Sequence, residues 1–298
     1  MSTATVALKV DVDTYHGTRD GVPKLLSLLE DFGIKATFYF SMGPDNTGKA
    51  VRRIFTRKGL LKKLLRTQVL TTYSPKTLLY GTLLPPPLIS AALPDILLAT
   101  QSKGHEVGIH GWDHVKWDDL LPWLPKPVTA MELGKAGRQF ETIFGRRART
   151  TAAPGWKVSA NSLEVQDAMT LSYSSDCRGR SPFYPVVHGR IFKTLQIPTT
   201  WPTIDEIIGE NGIAENTIHD HYCSLLQPGL NVHTIHAELE GGIFSSVLRE
   251  LLRKLVAADV RFITLAEAAA EYGANAPVCT LAMGELPGRP GNVAIQGE

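Results

Sequence analysis

Apolar residues in this chain fall into short runs separated by stretches with helical spacing. Val6-Ala7-Leu8-Lys9-Val10 is a short apolar run ending at Asp11 and predicts a strand. Residues 22–30 carry apolar side chains at helical spacing, with Pro23 tolerated in the first turn and Gly33 closing the element. Ala36-Thr37-Phe38-Tyr39-Phe40 predicts the next strand and completes a β-α-β unit. The alternation returns later, with strands expected over 106–110, 191–197, 231–235 and 261–264. Helices are expected over 130–144, 246–258 and 265–272. Repeated βα units over this length predict a parallel α/β barrel, whose active site is built at the C-terminal ends of its strands. Residues 1–276 read as one catalytic domain, and residues 277–298, rich in Gly and Pro, as an irregular tail.

One segment breaks the pattern. Between Asp45 and Asp95 there is no acidic residue, while Lys49, Arg52, Arg53, Arg57, Lys58, Lys62, Lys63, Arg66 and Lys76 all fall inside. Leu61, Leu64 and Leu65 share a helix face, with Lys62, Lys63 and Arg66 turned away. Residues 45–98 therefore read as a basic, largely helical insertion. A basic segment bearing leucines suits a membrane surface, so Arg52, Arg53, Arg57, Lys58, Lys62, Lys63 and Arg66 are expected to face one. A solvated charged face is the plain alternative. Nucleic acid is disfavoured because aromatic residues are few there.

Composition adds little about partners, since 31 basic residues nearly balance 29 acidic ones. Cys177, Cys223 and Cys279 are odd in number and widely spaced, which argues against a disulfide framework and fits a reducing cytoplasm. The N-terminal residues lack the pattern of a secretory signal, and no spanning helix is expected.

The chemistry lies in three separated segments: Asp11-Val12-Asp13, His110-Gly111-Trp112-Asp113-His114 and Thr234-Ile235-His236-Ala237-Glu238. His110 and His114, spaced i, i+4, are expected on one side of a helical turn. Two imidazoles and one carboxylate make an open metal site with room for water and substrate. The other carboxylate is then available as general base, and His236 as general acid for a leaving amine. Glu238 and Glu240 just past a strand end are an odd place for charge unless the strand ends at a pocket. Alone, each piece has an ordinary reading as cap, surface or core residue; their joint occurrence at strand ends is what points to a site. His219-Asp220-His221 is a rival metal cluster, or a polar loop.

The order Asp-x-Asp, HxxxH, Ala153-Pro154-Gly155-Trp156 and Ile235-His236 resembles the polysaccharide deacetylase (carbohydrate esterase family 4) group. The resemblance implies a distorted (β/α)7 barrel that deacylates N-acylated sugars with a divalent metal; two imidazoles and a carboxylate accept Zn, Co or Mn alike. It implies Asp11 as base, His236 as acid, and Asp13, His110 and His114 as metal ligands. Pro154, Gly155 and Trp156 would form a groove wall, and a backbone N–H there or beside Asp13 would hold the oxyanion. The chain departs from the family at Ala152, where many members carry an Arg that pairs with the base; Arg178 is expected to supply that cation.

Further segments, among them Ser175-Asp176-Cys177-Arg178-Gly179 and His236-Ala237-Glu238-Leu239-Glu240-Gly241, resemble the family members that deformylate a formamido sugar on undecaprenyl phosphate. Asp176, Arg178 and Glu238 would then support substrate binding. This resemblance implies work at the cytoplasmic face of the bacterial inner membrane, before aminoarabinose is attached to lipid A, with polymyxin resistance as the outcome. An N-deacetylase of another amino sugar, a cyclic-amide hydrolase, and a membrane-surface binding protein on an inactive barrel are the alternatives.

Overall fold

The computed structural model describes residues 4–50, 53 and 76–298 of the chain. Its strands are β1 (Ala4–Val12), β2 (Thr37–Phe40), β3 (Glu106–Ile109), β4 (Thr150–Thr151), β5 (Tyr173–Ser174), β6 (Tyr184–Val187), β7 (Arg190–Ile191), β8 (Gly229–His236), β9 (Arg261–Ile263), β10 (Val278–Leu286) and β11 (Arg289–Gln296). Seven of them form one parallel sheet in the order β5-β4-β3-β2-β1-β8, with β9 also paired to β1. Thr5 to Ala7 pair with β9 and Lys9 to Val12 pair with β2, so two strands share one edge of β1.

The gap between β5 and β8 is closed by irregular chain. Ile197 N–H donates to Ser174 O at 2.8 Å, and Thr200 N–H donates to Val232 O at 3.0 Å. The strand expected over 191–197 is therefore present only in part: Arg190–Ile191 pairs as β7, and residues 195–200 bridge the opening without a regular ladder. Pro198, which has no N–H to give, interrupts any ladder there.

β1 is buried on both faces, as parallel strands are. Val6, Leu8, Val10 and Val12 pack outward with Leu25, Leu29, Phe38 and Phe40. Ala7 packs inward with Tyr39, Ala152, Val232 and Ile263. Because strand side chains alternate, Lys9 and Asp11 share the inward face with Ala7. The outer layer includes the helices Val22–Asp31, Pro94–Ser102, Lys126–Phe144, Ser245–Ala257 and Leu265–Tyr272. Ser245–Ala257 shows why they form: Val247, Leu248, Leu251, Leu252 and Leu255 recur on one buried stripe.

Three expectations change. Residues 277–298 are not an irregular tail: β10 and β11 form an antiparallel hairpin, and β10 runs parallel to β6 in a second sheet, β11-β10-β6-β7. The Gly and Pro residues are concentrated at the turn and the start of β11, while Leu281, Val293 and Ala294 bury the faces beyond. The insertion ends before residue 98, because Pro94–Ser102 is the crossover helix into β3 and Leu97 belongs to the main core. Arg53 does not face outward; its guanidinium lies 2.8 Å from Asp118 and 2.7 Å from Asp119. Arg52, Arg57, Lys58, Lys62, Lys63 and Arg66 lie outside the described residues. No helix among the described residues is long and apolar enough to cross a membrane.

Candidate active site

β1 and β3 end side by side and deliver the three expected ligands to one point. Asp13 follows β1, His110 follows β3, and His114 opens the helix His114–Leu120. His110 Nε2 lies 3.2 Å from Asp13 Oδ1, and His114 Nε2 lies 3.4 Å from Asp13 Oδ2. Ligand atoms of all three lie within 4.8 Å of one another. Atoms bound tetrahedrally at ordinary metal–nitrogen and metal–oxygen lengths stand roughly 3.3 Å apart, so the set fits one divalent ion.

The two histidines do not share a helical turn, contrary to the i, i+4 expectation. The chain reverses at Gly111 (φ 79°), and Asp113, in extended conformation, caps the helix by accepting from Lys116 N–H at 3.0 Å. Asn46 Nδ2 donates to the other oxygen of Asp113 at 2.7 Å. His114 is thus placed by a cap and His110 by a strand.

Burial favours a neutral Asp13, but the imidazoles of His114, His110 and His236 outweigh it and hold this carboxyl well below the usual range. Burial pulls His110 down, yet Asp11 and Asp13 raise it overall; for His114 burial wins and its basicity falls. A neutral imidazole is the form that binds metal.

Asp11 sits one strand position further inside, and register decides its neighbours. Across the β1–β8 pair Asp11 stands opposite His236, and across β1–β2 opposite Tyr39. The expected base and acid are therefore adjacent staves of the same barrel end. The cation beside Asp11 is Lys9, with Nζ 3.0 Å from Oδ2 and both side chains buried. Lys9 Nζ also lies over the rings of Trp156 and Tyr39, at 5.1 and 5.8 Å. Arg178 does not take this role: its Nη1 lies 2.7 Å from Glu206 Oε1, and its Nη2 donates to Trp201 O. Ala152 thus faces a barrel whose cation comes from β1. The signal in the sequence was a lone lysine in an apolar strand, two residues before Asp11 and so on the same face.

Carboxylates fix the surrounding loops. Glu238 Oε1 accepts from Asp13 N–H, Thr14 N–H and the Thr14 hydroxyl at 3.1, 2.9 and 2.8 Å. Asp45 Oδ2 accepts from Tyr15 N–H at 2.9 Å. The amides of residues 13–15 are therefore already used, which removes the expected oxyanion donor beside Asp13. Burial, and then the Asp13 charge, push Glu238 up to about 8. Glu240 Oε2 accepts from His236 N–H at 2.8 Å, and burial pushes that carboxyl to about 8 as well.

The Pro154–Trp156 turn is strained. Gly155 and Trp156 both have positive φ, 62° and 52°, and a Cβ on Gly155 would stand 2.6 Å from Asp118 Oδ1. Trp156 is buried rather than forming an open wall; its Nε1 donates to Thr199 and its ring meets His236 edge-on at 6.3 Å. Asp176 is a buried support that accepts from Gln166 at 2.7 Å and Gln196 at 3.2 Å, and burial raises its carboxyl to about 6. His219 and Asp220 contact each other at 3.4 Å, but the groups that could hold a metal among the described residues do not include them.

The sequence signature described as polysaccharide deacetylase matches residues 1–174. A Shewanella sediminis protein named "Probable 4-deoxy-4-formamido-L-arabinose-phosphoundecaprenol deformylase" is 36% identical over 98% of this chain and 94% of its own. A Wigglesworthia glossinidia brevipalpis protein of the same name is 30% identical over 94% of this chain and 98% of its own. The fold is shared with a probable polysaccharide deacetylase from Pseudomonas aeruginosa, with TM-score 0.63, 13% identity, and 91% and 92% of the two chains covered. It is also shared with peptidoglycan deacetylase PdaC from Bacillus subtilis, with TM-score 0.53, 15% identity, and 90% and 91% covered. With its signature over more than half the chain, and relatives matched almost end to end, this chain belongs to the polysaccharide deacetylase family.

Proposed function

We propose that this chain is a metal-dependent deformylase that hydrolyses the formamide of 4-deoxy-4-formamido-L-arabinose carried on undecaprenyl phosphate. The observation that carries the reading is the convergence of Asp11, opposite His236, with the Asp13–His110–His114 set at one barrel end, in a chain whose relatives bear that deformylase name.

Asp13, His110 and His114 would hold the metal; two imidazoles and a carboxylate accept zinc, cobalt or manganese. Such an ion, when bound, polarises the formyl carbonyl and eases loss of a proton from water. Asp11, oriented by Lys9, accepts the proton of the attacking water. His236, held at its backbone by Glu240, gives a proton to the sugar nitrogen as the C–N bond breaks, and formate leaves. A substrate on a polyprenyl carrier brings the enzyme to a membrane surface. The basic stretch after Asp45 and the outward Leu83 and Trp123, 80% and 76% exposed, support contact there.

The test is metal analysis of the purified protein combined with formate release from the lipid-linked sugar. Stoichiometric divalent metal with formate release is expected. Acetate release from N-acetylated sugars with no formate release would move the assignment to a deacetylase. A metal-loaded protein that hydrolyses neither amide would sink the enzymatic reading.

A further inference from the structure

The C-terminal hairpin, which the mechanism above does not use, brings a guanidinium to the edge of the site. Arg289 opens β11 and lies over the ring of Trp156 at 4.4 Å. That indole has Arg178 at 5.1 Å and Lys9 at 5.1 Å as well, so three cations surround the ring that contacts His236. Two of them already have carboxylates: Lys9 has Asp11, and Arg178 forms two hydrogen bonds to Glu206, at 2.7 and 2.9 Å. Among the described residues Arg289 pairs with the shared Glu206, at 3.5 Å, longer than a charge-assisted hydrogen bond. Glu206 is thus shared by two guanidiniums, and its hydrogen bonds go to Arg178.

The hairpin does not need this arginine as an anchor. Gly288 sits at φ 73° with room for no Cβ, since one would stand 2.1 Å from Glu206 O. Gln296 N–H donates to Arg178 O, and Arg178 N–H donates to Ala294 O, both at 2.8 Å. The arginine is held at a fixed tip, its side chain 15% exposed, where its charge is only partly screened yet open to a ligand.

We infer that Arg289 recognises the phosphate that joins the formamido sugar to its lipid, and so selects lipid-linked over free sugars. This rests on the deformylase reading. The substrate is charged at the end of the sugar remote from the formamide. With the formamide between Asp11 and His236, the neighbouring ring is Trp156 and the cation beyond it is Arg289. A planar guanidinium suits a phosphate diester, to which it can donate two parallel N–H bonds.

The test compares wild type with Arg289→Gln and Arg289→Lys on two substrates in neutral detergent, where no anionic headgroup competes. One is the formamido sugar on a short polyprenyl phosphate; the other is the same sugar without phosphate. Arg289→Gln should raise KM for the first about tenfold or more and lower the kcat/KM preference for it over the second by the same factor. Arg289→Lys should recover part of that preference. Calorimetric binding of the short polyprenyl phosphate alone, which needs no turnover, should weaken in parallel in Arg289→Gln. Equal losses on both substrates, or unchanged polyprenyl phosphate binding, would overturn the inference. If wild type releases no formate, the deformylase reading fails, and the binding comparison still decides the role of Arg289.

Discussion

Replacing Lys9 by Met tests the account of the base most directly. Met is close in length and apolar, so it keeps contact with Tyr39 and Trp156 while deleting the charge 3.0 Å from Asp11. At that distance, and at an effective dielectric of about 20, the attraction removed is about 5 kcal/mol. Desolvation of the lysine is recovered in part, and single deletions from buried pairs cost about 3–5 kcal/mol. Asp176, which Lys9 also favours in its charged form, loses the same support. Denaturant unfolding at pH 7 should show a fall of about 3 kcal/mol or more at unchanged m-value. Turnover should fall because Asp11 loses the group that orients it, while metal content stays at the wild-type level. The same change in an Asp11→Asn background should cost much less, giving a coupling energy of at least about 2 kcal/mol. A Lys9→Met protein with wild-type stability and wild-type formate release would refute the assignment of Lys9 as partner of the base.

Other outcomes follow from the same geometry. Asp13→Ala and His110→Ala should lose metal and activity together, whereas His236→Ala should keep its metal and lose turnover by roughly 10²–10⁴-fold, read by metal analysis and formate release. Gly155→Ala should lower the melting temperature, costing about 1–2 kcal/mol for positive φ beyond any clash with Asp118. Glu240 ionises near 4.5 in the unfolded chain but keeps its proton to about 8 in the folded one. The folded state then binds more protons across that window, so this group makes stability fall as pH rises from 4.5 to 8. Glu240→Gln should flatten that slope in unfolding curves taken between pH 5 and 8, while the Gln oxygen still accepts from His236 N–H.

The sequence by itself determined β1, β2, β3, β8 and β9 and the helices Val22–Asp31, Lys126–Phe144, Ser245–Ala257 and Leu265–Tyr272, because their apolar patterns are set by burial against one sheet; the short β4 and β5 and the helix His114–Leu120 are too short to carry such a pattern. It also offered the residue types that could bind metal or move protons, since Asp11, Asp13, His110, His114 and His236 occur together at or soon after the ends of three strands. Tertiary structure decided how those groups pair. The β1–β8 register puts Asp11 opposite His236. Alternation on β1 makes Lys9, not Arg178, the neighbour of Asp11, and Glu206 claims Arg178 from a segment 28 residues later. The turn at Gly111 and the Asp113 cap, not a helical repeat, bring the two histidines together. β10 pairs with β11 across the turn and also runs parallel to β6, a strand distant in sequence. Local pattern reports which face of an element is buried, but the partner of a buried charge is set by register and by strands distant in sequence, which no local pattern encodes.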